Sequence, residues 1–162
     1  MSNSIGERSN ARRKLLIVSS LLAVVMTGAV LAGWSSSNSG VAGLTPPQTH
    51  AVAISEEQRL TLPVGDSWPT IVFQKGVVYQ SGDGQNRVDQ IWFCDWSESF
   101  LLDSTSSPSF VVALSRVEEI RQTYMYRFDM GNGTRSSING AVERARLGDT
   151  GPLASNVQLN CQ

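Results

Sequence analysis

Histidine and cysteine are nearly missing from this chain, with one of the first, His50, and two of the second, Cys94 and Cys161. That shortage excludes a four-ligand zinc site unless carboxylates complete it, and no metal or other cofactor is expected. A histidine-dependent catalytic triad would need the chain around His50 to fold back onto a distant nucleophile, so no catalytic residue is assigned. Lysine and arginine form no cluster beyond the first fourteen residues, which leaves no basic face for nucleic acid. Gly82-Asp83-Gly84 lacks the further glycine and the lysine of a phosphate-binding loop and reads as a turn.

What the chain does have is one long apolar run. Leu15 to Trp34 carries no charge and, as a helix of about twenty residues, is long enough to cross roughly 30 Å of hydrocarbon. Arg8, Arg12, Arg13 and Lys14 precede it against Glu7 alone, whereas nine basic residues face thirteen acidic ones after it. The positive side stays in the cytoplasm. The expectation is a single-pass transmembrane helix over 15–34, with an N-terminal cytoplasmic tail (1–14) and the remainder outside the cell membrane. A second reading stays open. Val30 and Ala32 before Gly33 also suit a signal cut after Ala32, which would make the protein secreted.

On the exported side two cysteines allow one intramolecular pairing, Cys94 with Cys161. Closing a loop of about 68 residues is worth roughly 4 kcal/mol in the chain-entropy model. The bond would tie the last residues to the core.

Residues 35–67 are rich in Ser, Gly, Pro and Thr and read as a flexible linker, with a helical turn at most near Ile54–Gln58. The folded domain is expected over 68–162. Ile71–Phe73 and Val77–Tyr79 flank Lys75-Gly76 and suggest a short β-hairpin or extended segment. About three helices should follow. The first runs from near Asn86 to Leu102 and is apolar on most sides, which marks it as central, with a strand over 88–96 as the alternative. Ser107-Pro108 starts the second, whose stripe Phe110, Ala113, Leu114, Val117, Ile120, Tyr124, Met125 and Phe128 extends to Gly131. The third covers about Ser136 to Leu147 and stops at Gly148, with a loop after it. The fold class is therefore mainly α, with α+β possible.

Candidate binding residues are few. Arg121 falls in the middle of the apolar stripe of the second helix, where a buried guanidinium needs a carboxylate such as Asp89, Asp95 or Glu98, or else clamps an anionic ligand. Asp95 and Glu98 could also act with Asp89 and Asp103 as a general acid and base on a polysaccharide. Trp68, at the edge of the domain, could pack into the core or face a partner. An exported helical domain without a nucleophile–base pair is expected to bind rather than catalyse. The leading expectation is a membrane-anchored accessory or scaffolding protein of a cell-envelope assembly, in contact with the lipid bilayer and with an envelope protein partner. The alternatives are an exported cell-wall hydrolase and a secreted ligand-binding protein.

Overall fold

The computed structural model describes residues 43–103 and 107–161. Among them lie five α-helices: α1 (Pro46–Arg59), α2 (Asp83–Leu102), α3 (Pro108–Glu118), α4 (Asn132–Arg146) and α5 (Gly151–Asn160). No β-strand occurs among the described residues, only a single antiparallel bridge between Leu44 and Tyr79. Nor is any described helix long and apolar enough to cross a membrane. The expected transmembrane helix at 15–34 and the tail before it lie outside the described residues.

The expected architecture of three helices behind a β-hairpin is thus corrected in two places. Residues 46–59, assigned above to a linker, form α1. Pro46 and Pro47 open it at positions where no intrahelical N–H is required, and the Gln48 side chain accepts from the Thr45 N–H at 2.9 Å. Thr49, Ala53 and Glu56, spaced by four and three residues, are buried, and this stripe lies on α2. The approach is close. A Cβ placed on Gly84, in the first turn of α2, would sit 2.6 Å from the Thr49 carbonyl oxygen.

The second correction concerns 71–79. Val72 and Val78 are exposed instead of pairing, and Phe73 turns its ring edge-on to Tyr79 (centroids 5.2 Å apart) and to His50 (6.4 Å). The runs do not alternate in polarity, so neither offers the buried face that would select a ladder. The Leu44–Tyr79 bridge, with bonds of 2.8 and 2.9 Å, closes the segment instead.

Helix α2 is the centre of the core, as its nearly continuous apolar surface requires. Trp92, Phe93, Trp96 and Phe100 are buried against Ala113 and Val117 of α3, Ile138, Ala141, Val142 and Ala145 of α4, and Leu153 of α5. It begins at Asp83, after Gly82 with φ +103°, a left-handed turn that glycine adopts without strain. Helix α3 starts as expected, with the Ser107 hydroxyl accepting from the Phe110 N–H at 3.1 Å. It does not continue to Gly131. Glu119–Gln122 tighten into a 3₁₀ turn, Thr123 becomes extended at ψ 157°, and Met125–Asp129 form one π turn. Helix α4 ends before Gly148, which takes φ +92°. The expected final loop is helix α5, held by fully buried Leu153 and by the Cys94–Cys161 disulfide, whose Cα atoms are 5.4 Å apart.

Candidate functional site

The solvent-facing side of α2 carries the surface relief of the domain. Towards its N-terminal half lies an open groove of about 590 Å³, lined by Asn86, Arg87, Gln90 and Ile91 and walled by Pro69–Phe73, which belong to no helix or strand. Met125 and Asp129, the two ends of the π turn, close its far side. A smaller groove of about 210 Å³ adjoins it and shares Pro69, Arg87, Gln90 and Ile91. Its other boundary is Asp95, Glu98, the disulfide and Asn160, whose carbonyl accepts from the Gln90 side chain at 3.0 Å.

The wall of the larger groove has an unusual backbone. Thr70, Ile71, Val72 and Phe73 make no main-chain hydrogen bond to any described residue. Along this run the main chain is therefore unpaired among the described residues, as at the edge of a sheet that has no neighbour.

Of the residues singled out in the sequence, Asp95 and Glu98 come together at the smaller groove. Asp95 is half-buried, and its carboxyl is pushed up to about 6, first by burial, then by the charges of Asp66 and Glu98. Trp68 is half-buried and packs against the core, next in sequence to the Pro69 shared by both grooves. Arg121 belongs to neither. Because the helix tightens at Glu119, the angular phase that put Arg121 inside the stripe is lost, and its side chain is exposed. Its Nε donates to Asn139 Oδ1 at 3.0 Å, and Asn139 in turn exchanges hydrogen bonds with the Tyr126 hydroxyl. Its partner is an amide, not the carboxylate expected. Asp89 is fully buried and so cannot reach a polymer in this arrangement.

Asp89 instead takes part in a cluster that sequence reasoning missed. Its Oδ2 accepts from the Met125 N–H at 2.8 Å, its Oδ1 is buried without a hydrogen-bond partner among the described residues, and Glu56, which is 8% exposed, bears on it from α1. Glu56 is also paired with Arg59, one turn further along α1. Burial, reinforced by the Glu56 carboxyl, pushes Asp89 up to about 7, although the Met125 N–H and Arg59 pull the other way. The signal in the sequence was weak, since glutamate is rarely buried and nothing near Glu56 looks like core. His50, on exposed α1 surface, touches only the Phe73 ring among described aromatic groups. No group of three or more His, Cys, Asp or Glu among the described residues could hold a metal ion.

No protein-family model, characterised protein or solved structure matches this chain.

Proposed function

We propose that this chain is an exported binding protein of the cell envelope whose domain takes up an extended segment of a partner protein in the groove between Pro69–Phe73 and α2. The observation that carries this reading is the main chain of Thr70–Phe73 along the groove wall, unpaired among the described residues. An extended peptide laid beside it would supply the missing donors and acceptors, as in strand addition to a sheet edge. Ile71, Phe73, Ile91 and Met125 offer apolar contact for alternate side chains of such a peptide. Arg87 and Asp129, which both line the groove, favour a partner with charges of both signs. The volume falls within the roughly 300–1,000 Å³ of ordinary binding clefts. The disulfide supports an oxidising compartment, and with it the exported location.

Selection of displayed peptides on the purified protein tests the reading. Bound peptides should slow amide exchange at Thr70–Phe73, and Val72→Asp, on a side chain 78% exposed and so dispensable for folding, should weaken them about tenfold or more. Peptides that bind while leaving exchange at 70–73 unchanged would place recognition elsewhere. A selection that yields none would remove the reading altogether.

A further inference from the structure

The cluster of Glu56, Arg59 and Asp89 has a composition that binding alone does not call for. Two carboxyl groups from different helices are buried where α1 packs on α2, and the one cation paired there, Arg59, is half exposed. Burial beside a second carboxyl makes the ionised form of Asp89 costly and favours its holding a proton. With that proton the set of Glu56, Arg59 and Asp89 is neutral; without it, one uncompensated negative charge is left inside. Asp89 Oδ1 is buried and accepts from no N–H or hydroxyl donor, which is the arrangement expected when the proton sits within the pair.

The cluster joins three elements. Glu56 and Arg59 come from α1, Asp89 from α2, and the Met125 N–H from the start of the π turn. These are the groups that bear on Asp89 from each element. The charged side chains of the π turn itself, Arg127 and Asp129, are exposed. We infer that Glu56 and Asp89 form a latch, closed by one shared proton, that holds α1 and the π turn onto α2 and loosens when the proton leaves. The titration of Asp89 near neutral pH, caused by burial and by Glu56, sets the range in which this occurs. On deprotonation the proton passes to solvent and the two like charges repel across the α1–α2 contact. The sign is then fixed. The latch is closed in mild acid and loosened above neutrality.

Met125 and Asp129 line the larger groove, so a loosened π turn also alters the proposed peptide seat. That consequence rests on the groove reading; the latch does not. Amide exchange of the full-length protein, without peptide, is therefore the deciding experiment, at pH 5.5 and pH 8.5 after correction for intrinsic exchange rates. Protection should fall about tenfold or more at α1 and at 125–130 on going to the higher pH, while α4 keeps its protection. Asp89→Asn supplies a permanent neutral donor to Glu56 and should abolish the step. Equal corrected protection at both pH values, or a step of the same size in Asp89→Asn, would overturn the latch. Should that variant fold poorly, the carboxyl carbon resonances of the wild-type protein give the same answer. A midpoint near neutrality for the Glu56–Asp89 pair supports the shared proton, and two ordinary acidic midpoints would overturn it.

Discussion

Trp92 and Trp96 direct their indole N–H groups at one acceptor, the carbonyl oxygen of Thr61, at 3.0 and 2.8 Å. The two side chains lie one turn apart on α2, so a single carbonyl just after α1 can serve both. The chain leaving α1 is thereby fastened to the centre of the core, and Leu60 and Leu62 on either side pack against it.

Shared acceptance makes the two tryptophans energetically dependent. Trp92→Phe or Trp96→Phe alone should cost about 1–3 kcal/mol, mostly through lost packing, because the Thr61 carbonyl keeps one donor. The double variant removes both. A double-mutant cycle by urea denaturation should show a coupling of about 1 kcal/mol beyond the sum. Strict additivity would mean that the common acceptor has no energetic role.

Glycines in helices should respond to alanine with opposite signs at two positions. At Gly84 the new Cβ would meet the Thr49 carbonyl oxygen at 2.6 Å and the Ala53 nitrogen at 3.1 Å, both backbone atoms of α1. Forcing α1 away should cost about 1–3 kcal/mol, more than the gain in helix propensity of about 0.5–1 kcal/mol returns. Gly140, exposed on α4, has nothing within 4 Å of its Cβ position, and Gly140→Ala should stabilise by about 0.4–1 kcal/mol. Thermal melts of the two variants check both signs together.

Removing the Cys94–Cys161 bond, by reduction or as the double serine variant, should lower stability by about 2–5 kcal/mol. Leu153 is fully buried but is the one buried residue of α5, so that helix should be the first to lose amide protection. Uniform loss over all helices would show that α5 is held by packing instead.

Asp95 contributes a pH dependence of its own. Its folded-state value, raised from 3.8 to about 6, makes the contribution fully present below about pH 4 and lost as pH rises through about 6. Asp95→Asn should therefore leave the urea midpoint nearly unchanged at pH 4 and raise it at pH 8. A variant that lowers the midpoint at pH 8 would assign Asp95 a stabilising charged partner.

How far the sequence revealed this arrangement depended on whether local signals agreed with packing. The core role of α2 followed from Val88–Leu102, whose apolar residues occupy most of the helix surface, and the disulfide followed from there being two cysteines. Ser107-Pro108 and Gly148 marked helix ends correctly because capping and left-handed turns are local. Helix α1 was hidden by composition. Pro46-Pro47 suggests a linker unless read together with Thr45 and Gln48 as a helix start, and the helix that covers Glu56 carries Asp89, 33 positions later in the chain. Arg121 was misplaced for a geometric reason. Its position assumed 100° per residue through Phe128, whereas the 3₁₀ turn and the extended Thr123 reset the phase. The expected hairpin failed because Ile71–Phe73 and Val77–Tyr79 have no third element to bury a common face. The groove they help to form was invisible for the same reason, since a free backbone edge exists only once the chain around it has folded.

The bond between Cys94 and Cys161 also decides how the domain carries mechanical load. Tension applied at residue 161 enters the middle of α2 directly, bypassing α3 and α4, and cannot peel α5 away from its end. Between Cys94 and that pull no helix has to give way, so only the stretch before Cys94, with α1 and the groove wall, is left to extend under force.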